Sequence, residues 1–213
     1  MILEGAIGDA YGAGFEFAEY DKIRNKNNVS QYETHPLFDE INGKYTDDTQ
    51  MAIAIAELLL EHQTWTPLLV ANKFVEVFKR DVRRGYAKRF FQFLSDISDG
   101  QELINKIKPK SERNGAAMRA YPLGILRTEK EILEKCDLQA QVTHQSDRAI
   151  IAAQAISLTA HFFIYNKGTK AQLLEYLKDI QNHRWNANWE GEVKVDAIDT
   201  VEATLTVLLH HSH

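Results

Sequence analysis

One segment constrains the fold of this chain more than any other, because residues 51–60 are apolar on almost every side of a helix. A helix of that kind lies inside a bundle rather than on its surface. Directly in front of the segment, Asp47 and Gln50 have the spacing of a capping box, with Asp in the position that Ser or Thr usually takes. We therefore predict a buried helix over residues 47–62.

Helical signals recur along the rest of the chain, whereas few runs alternate with the period of two that is typical of strands. We predict roughly eight to ten helices, an all-α class, and one domain over residues 1–213, a length that can bury a sizeable core. Besides 47–62, the predicted helices cover residues 66–79, 84–97, 99–108, 147–165, 169–182 and 199–210, and another begins at Thr128. The long polar stretch 17–45 is predicted to be an irregular loop, and such loops are usually functional or mobile.

The composition argues against several classes of protein. Lys and Arg number 25 and Asp and Glu 30, a net charge of −5, so no basic excess favours nucleic acid as a partner. Cys136 is the only cysteine, which excludes an internal disulfide and favours a reducing compartment. No run of about 18 apolar residues and no basic secretory start occur, so we expect a cytoplasmic chain without a membrane partner.

The sharpest candidate for chemistry is the sequence Thr-Asp-Asp-Thr over residues 46–49. Two adjacent carboxylates and two hydroxyls form a compact set of hard oxygens, which Mg²⁺ prefers as ligands. The alternative is a plain helix start, because acids in a first turn favour the helix dipole and Asp or Thr often caps. Both interpretations stay open here, although unpaired charge beside an apolar helix favours a bound cation.

Two other segments combine small residues with polar ones. Residues 5–16 are rich in glycine and carry Asp9 and Glu16, so they form either a close-packed helix and loop or a surface for a ligand. Residues 114–124 begin with Asn114, a good N-cap, followed by small residues that leave backbone N–H groups open to a phosphate. The alternative for this second segment is an ordinary capped helix broken by a proline.

A histidine precedes the predicted helix 147–165. His144 could donate a hydrogen bond to a ligand hydroxyl, whereas a lone loop histidine is more often structural or solvated.

Taken in order, four motifs resemble the ADP-ribosylglycohydrolase family, which includes the dinitrogenase-reductase-activating glycohydrolase and its eukaryotic relatives. They are Gly-Asp-Ala-Tyr-Gly over 8–12 followed by Glu16, Tyr-Thr-Asp-Asp-Thr-Gln-Met over 45–51, Asn-Gly-Ala-Ala-Met-Arg-Ala-Tyr-Pro-Leu-Gly over 114–124, and Thr-His over 143–144. The resemblance spans residues 2–209. It implies an all-α domain whose cleft holds two Mg²⁺ or Mn²⁺ ions, and hydrolysis of the glycosidic bond between ADP-ribose and a protein side chain or small acceptor.

The resemblance also implies a role for individual residues. The implied metal ligands are Thr46, Asp47 and Asp48. The implied catalytic carboxylates are Glu16 and Asp48, one of which would accept a proton from a water held by the metal. The implied ligand-binding residues are Asn114, Gly115, Ala116, Ala117, Met118 and His144.

One departure from the family pattern concerns the cofactor. The family continues into a second Asp-x-Asp-Thr motif. Residues 195–203 match the helix before that motif. Asp196, Asp199 and Thr200 only superficially resemble the motif in residue type, so we do not equate them with it. For residues 1–213 alone we therefore expect one divalent cation, or weak binding, and impaired activity. A C-terminal segment supplied in trans is a candidate partner.

Three functions stay open from the sequence. The first is a metal-dependent hydrolase acting on an ADP-ribosylated protein or small molecule. The second is a module that binds an ADP-ribose-type ligand without turnover, and the third is a structural helical domain. The acceptor is not determined, nor is the aromatic that stacks on adenine, for which Tyr121, Phe15 or a tryptophan is available.

Overall fold

Ten α-helices form the framework of residues 1–61 and 63–211, which are the residues that the computed structural model describes. They are α1 (Ile2–Gly12), α2 (Tyr20–Lys26), α3 (Asp47–Leu60), α4 (Pro67–Arg80), α5 (Lys88–Asp96), α6 (Gly100–Lys106), α7 (Glu129–Gln141), α8 (Asp147–Ile164), α9 (Leu173–Gln181) and α10 (Ala197–His210). Short 3₁₀ turns span Ala13–Phe15, Asn114–Ala116, Tyr121–Ile125 and Lys170–Gln172. Those described residues contain no strand, only isolated bridges between Lys110 and His144 and between Arg113 and Asp196. The all-α prediction is confirmed.

The core lies where α3, α4, α7 and α8 pack together. From α3, Ile55 and Leu58 are fully buried, and they belong to the same cluster as Phe74 of α4 and Leu158 of α8. Burying a side chain of this size stabilises a fold by about 1.5–3 kcal/mol. The prediction that α3 is an interior helix is confirmed. Within the described parts of the chain, no helix is both long enough and apolar enough to cross a membrane.

Several predicted helix starts are confirmed by their caps. In each, a side-chain oxygen accepts a hydrogen bond from a backbone N–H in the first turn, which stabilises a helix by about 1 kcal/mol. The capping residues are Thr66 for α4, Asp99 for α6, Thr128 for α7 and Ser146 for α8.

The predicted capping box of α3 is wrong. The N-cap is Thr46, and the side chain of Gln50 points the other way, donating to the Val77 carbonyl at 3.2 Å and accepting from the Tyr86 hydroxyl at 2.7 Å. The helix ends at Leu60, and His62, the last residue of the predicted span, lies outside the described residues.

The helix predicted over 84–97 begins later than expected, at Lys88. Its first residues cannot be helical because Gly85 has a φ of +111°, a left-handed conformation outside the helical range.

The stretch 17–45 is largely irregular, as predicted, but it contains α2 and is tied to the rest of the fold. The Lys22 ammonium donates to the carbonyls of Gly14 and Thr34, each at 2.8 Å. A Cβ on Gly14 would lie 2.4 Å from the Glu33 carbonyl oxygen, so glycine is what allows this loop to pack so closely. The loop therefore lies against the end of α1.

Candidate active site

Asp9 of α1 fixes the start of α3 from outside that helix. Its carboxylate accepts from the backbone N–H and the hydroxyl of Thr46, both at 2.8 Å. It also accepts from the N–H and the hydroxyl of Thr49, at 3.1 and 2.7 Å. Asp9 thus supplies the cap that the sequence analysis assigned to Asp47, and it locks the Thr-Asp-Asp-Thr segment onto α1.

Asp47 is held by a turn that the sequence analysis placed inside a helix. The Asp47 N–H donates to the Arg84 carbonyl at 3.1 Å, and a Cβ added to the next residue, Gly85, would lie only 2.0 Å from Asp47 Oδ1. Only glycine fits there, in both space and φ. The glycine itself is the sequence signal for this turn, although the apolar spacing around it predicts a helix over 84–97.

Negative charge accumulates around Asp47 and Asp48. Burial raises the pKa of Asp47 well above its usual range, and the charges of Asp48 and Glu16 add to the effect. Desolvation by the surrounding protein, followed by the charges of Asp9 and Glu16, raises the pKa of Asp48 to about 7. Asp48 nevertheless keeps exposed surface, so it lies in a recess rather than beneath the surface.

We call Asp9, Glu16, Asp47 and Asp48, together with Thr46, the acidic corner. Within residues 1–61 and 63–211, no Lys or Arg forms an ion pair with any of these four carboxylates. Unpaired charges of like sign are costly at such close quarters, and a cation or a proton would relieve them.

Glu16 extends from the 3₁₀ turn that follows α1, and a buried histidine orients it. His35 Nε2 lies 3.3 Å from Glu16 Oε2, while His35 Nδ1 accepts from the Leu37 N–H at 2.9 Å. Because Nδ1 is the acceptor, the proton of the neutral ring is on Nε2, which donates to the carboxylate. The sequence does not indicate a role for His35, since nothing in the polar loop distinguishes this residue.

Residues 114–118, which we call the ligand turn, are not the start of an α-helix as predicted. They form a 3₁₀ turn in which the N–H groups of Ala117 and Met118 donate to the Asn114 carbonyl, at 2.8 and 2.9 Å. The Asn114 amide donates to Thr200 Oγ1 at 3.3 Å instead of capping. The predicted α-helix start at Asn114 is therefore wrong, and a phosphate site at this turn stays a prediction.

The small residues of the ligand turn are divided between core and surface. Ala116 and Ala117 are buried, so their side chains serve packing, whereas Gly115 and Met118 are only partly buried. A tight turn forms here because the two alanines pack into the core between α8 and α10.

His144 lies directly against the ligand turn. A Cβ on Gly115 would lie 2.9 Å from His144 Cε1 and 3.0 Å from Nε2. His144 Nδ1 is 2.7 Å from the Thr143 hydroxyl oxygen. Burial, together with the charge of Arg119, lowers the pKa of His144 to about 3, so the ring is neutral at physiological pH.

The 3₁₀ turn Tyr121–Ile125, which follows the ligand turn, packs against α3. Burial and the charge of Asp47 raise the pKa of Tyr86, while the charge of Arg119 opposes the shift. Burial, then Asp9 and Asp48, raises the pKa of Tyr121 to about 12, and the Tyr121 hydroxyl lies 2.4 Å from the place of a Cβ on Gly5.

Asp196 has a structural task at the start of α10. Its carboxylate accepts from the N–H groups of Ile198 and Asp199 and pairs with Arg148 at 2.8 Å. The Asp196 carboxylate therefore caps α10, and the absence of a metal motif over residues 196–200 stays a prediction. Two surface depressions, of about 250 and 400 Å³, are lined by other residues, chiefly around Trp185 and Trp65.

The fold and the site together define an all-α protein whose conspicuous polar groups are an acidic corner and a neighbouring tight turn. A sequence profile of the ADP-ribosylglycohydrolase family matches residues 1–211. The chain belongs to the ADP-ribosylglycohydrolase family.

Individual relatives are distant. ADP-ribosylhydrolase ARH3 of Xenopus tropicalis is 26% identical over 219 residues, covering 92% of this chain and 59% of the relative. An uncharacterised protein of Archaeoglobus fulgidus is 26% identical over 183 residues, covering 84% of this chain and 60% of that protein. The chain thus spans about 60% of the length of these curated relatives.

A solved structure described as an ADP-ribosylglycohydrolase-related protein complex superposes with a TM-score of 0.69. It covers 98% of this chain and 74% of the solved chain at 21% sequence identity, which supports the fold.

Proposed function

We propose that this chain binds a divalent metal ion and an ADP-ribose-type ligand, as part of a hydrolase that cleaves the glycosidic bond between ADP-ribose and a protein side chain or small acceptor. The observation that carries the proposal is the acidic corner, where Asp47 and Asp48 lie near Glu16 and no Lys or Arg of the described residues pairs with them. Family membership supplies the substrate class.

The cofactor we propose is Mg²⁺ or Mn²⁺, held by Thr46, Asp47 and Asp48. Carboxylate and hydroxyl oxygens are the ligands that Mg²⁺ prefers, and a cation would offset the repulsion that raises both aspartate pKa values. When bound, the ion would polarise ribose hydroxyls and a water. No group of three or more His, Cys, Asp or Glu residues in the described parts of the chain is arranged as a metal site. We therefore propose that these residues bind one ion, and bind it weakly.

The chain's own residues would divide the remaining tasks. Glu16, whose side chain is 44% exposed, accepts a proton from the attacking water, and His35 holds one of its oxygens in place. The ligand turn and His144 hold the ADP-ribose moiety. The buried indoles of Trp65 and Trp185 are unsuited to stacking on adenine, which leaves Tyr121, Phe15 and the partly buried Trp189 among the candidates named from the sequence.

Replacement of Asp47 and Asp48 together by Asn tests the proposal. In the wild-type chain, Mg²⁺ should raise the melting temperature, because an ion that binds only the folded state stabilises it. ADP-ribose should raise it further. The double variant should lose the response to Mg²⁺ and any metal-dependent release of ADP-ribose from a modified protein.

Glu134→Gln is the matched control, since Glu134 is exposed and its nearest cation is Lys130, 3.8 Å away. It removes one negative charge outside the acidic corner. An equal Mg²⁺ response in wild type, control and double variant would refute the assignment of the metal ligands.

A second function, binding of an ADP-ribose-type ligand without turnover, is favoured by the small number of metal-type ligands around Asp47 and Asp48. Stabilisation by Mg²⁺ and ADP-ribose without release of ADP-ribose would support this function. Release that returns when a C-terminal segment of a family member is added in trans would support the hydrolase.

A further inference from the structure

A buried arginine, Arg119, directly follows the ligand turn in the chain. The Arg119 side chain is only 1% exposed, and within residues 1–61 and 63–211 no carboxylate forms an ion pair with it. Its guanidinium lies 4.3 Å from the centre of the Phe74 ring and donates to three neutral acceptors. These are Gln139 Oε1 at 2.6 Å, the Gln139 carbonyl at 2.9 Å and Thr143 Oγ1 at 2.7 Å. Burying a cation in this way is costly unless neighbouring dipoles are fixed around it.

The third of these hydrogen bonds determines the protonation pattern of the next residue. Thr143 Oγ1 is 2.7 Å from Arg119 and 2.7 Å from His144 Nδ1. A guanidinium can only donate, so the hydroxyl oxygen accepts from Arg119. The buried hydroxyl proton then has His144 Nδ1 as its acceptor. If Nδ1 carried a proton instead, that hydroxyl proton would be left without a partner, which is unfavourable in the interior.

With Nδ1 as the acceptor, the neutral His144 ring carries its proton on Nε2. Nε2 lies beside the ligand turn together with Cε1, 3.0 and 2.9 Å respectively from the place of a Cβ on Gly115. The backbone of this loop is also fixed, because the His144 N–H donates to the Ala140 carbonyl at 2.7 Å.

The same cation orients a second polar group beside the turn. Because Arg119 donates to Gln139 Oε1, the amide nitrogen of Gln139 must face the other way, and it donates to the Ala116 carbonyl at 3.1 Å. One buried guanidinium therefore sets the orientation of groups on both sides of the ligand turn.

We propose that Arg119 is a positioning residue which, through the Thr143 hydroxyl, holds His144 as the Nε2–H tautomer, so that a fixed hydrogen-bond donor faces the ligand beside Gly115. This donor fits an acceptor oxygen, such as a ribose hydroxyl or a diphosphate oxygen. That assignment of the ligand rests on the proposed function, whereas the tautomer is a property of the chain alone.

Thr143→Val tests the connection, with Thr143→Ser as its matched control. Valine keeps the shape of threonine and removes the hydroxyl, whereas serine keeps the hydroxyl. Long-range ¹⁵N–¹H correlation spectra of the whole chain without ligand report the tautomer of each imidazole, and His144→Asn identifies the His144 signals. The wild type and T143S should show Nε2–H alone, and T143V should show a mixture of tautomers.

Arg119→Met extends the test to the cation itself, because it removes all donors to Thr143 and should also give a mixture. If this variant fails to fold, T143V decides. A wild-type ring protonated on Nδ1, or T143V with Nε2–H alone, would overturn the positioning role.

Affinity for ADP-ribose separates this inference from the proposed function. T143V should bind about tenfold more weakly than the wild type, and T143S should stay within about twofold, because a misplaced donor leaves a ligand oxygen unpaired. If the tautomers are as expected and no chain binds ADP-ribose, the proposed function fails and the positioning role stands. If T143V binds ADP-ribose normally with an unchanged tautomer, the positioning role fails and the proposed function stands.

Discussion

The acidic corner and the pocket around Arg119 both hold charge that no opposite charge compensates within the described residues, but they accommodate it differently. Around Asp47 and Asp48 the charges repel each other beside a recess, and the pKa of Asp48 rises to about 7. The Arg119 guanidinium is buried away from solvent, and three neutral oxygens and the Phe74 ring surround it.

This difference separates a charge whose hydrogen-bond partners are in place from charges that repel each other. The acceptors around Arg119 are already in place, so its hydrogen bonds are part of the folded structure, although burial lowers the pKa of Arg119 to about 9 and the charge itself is costly. In the acidic corner the charges repel each other, and the cation that we propose would relieve that repulsion. Replacing Arg119 should therefore lower the stability, whereas neutralising Asp48 should raise it.

The largest effect is expected for Arg119→Met. The substitution leaves Gln139 and Thr143 with buried acceptors that have lost their donor, which should lower the free energy of unfolding by about 3 kcal/mol. Urea denaturation measures it, and Arg89→Met, at an exposed position, should change it by less than about 0.5 kcal/mol. Equal stability of R119M and wild type would remove the contrast between the two regions.

Gly85→Ala tests whether the backbone dictates the position of Asp47. The alanine would be strained at a φ of +111° and would collide with Asp47 Oδ1, so we expect a loss of about 2–3 kcal/mol. Gly191→Ala is the matched control, because its φ is +103° but nothing lies near its Cβ. The difference between the two variants in chemical denaturation measures the contact with Asp47, and equal losses would show that the contact is unimportant.

Asp9→Ala tests whether every carboxylate of the acidic corner affects stability in the same direction. Asp9 carries a negative charge there, but it accepts four hydrogen bonds from Thr46 and Thr49. It should therefore behave like Arg119, and its loss should destabilise the chain by about 2 kcal/mol. Thermal and urea unfolding measure this, with Asp9→Asn losing less because one oxygen acceptor remains. A gain in stability would mean that repulsion outweighs capping.

The smallest effect, of opposite sign, is expected for Asp48→Asn. The folded pKa of Asp48, about 7, lies above its ordinary value, so the folded chain binds more protons than the unfolded chain between those values. Without divalent ions, the stability should decrease as the pH rises through that range. D48N should remove part of this decrease and gain about 1 kcal/mol above about pH 7, since solvent around the exposed side chain screens the repulsion.

Melting temperatures measured with a chelator from about pH 5 to about pH 8 test this prediction. Glu134→Gln should follow the wild type throughout. A wild-type melting temperature that rises with pH over this range would contradict the repulsion around Asp48.

The parts of the fold predicted from the sequence are those that depend on neighbours along the chain. Caps such as Thr128 and Ser146 act within one helical turn, and the apolar run of α3 requires burial wherever the helix lies. The prediction at Asn114 failed because two alanines next to it pack into the core and tighten the backbone into a 3₁₀ turn. That preference depends on α8 and α10, which come later in the chain.

By itself the sequence determined the all-α class, most helix starts, and the Thr-Asp-Asp-Thr motif with its family, because local spacing and residue type encode these features. Only the tertiary structure decided which groups act on that motif. Asp9 caps α3, Gly85 leaves room for the Asp47 carboxylate, and His35 orients Glu16. Arg119 likewise contacts His144 through the Thr143 hydroxyl. All these contacts join residues that are far apart in the chain, and only the packing of the helices brings them within hydrogen-bonding distance.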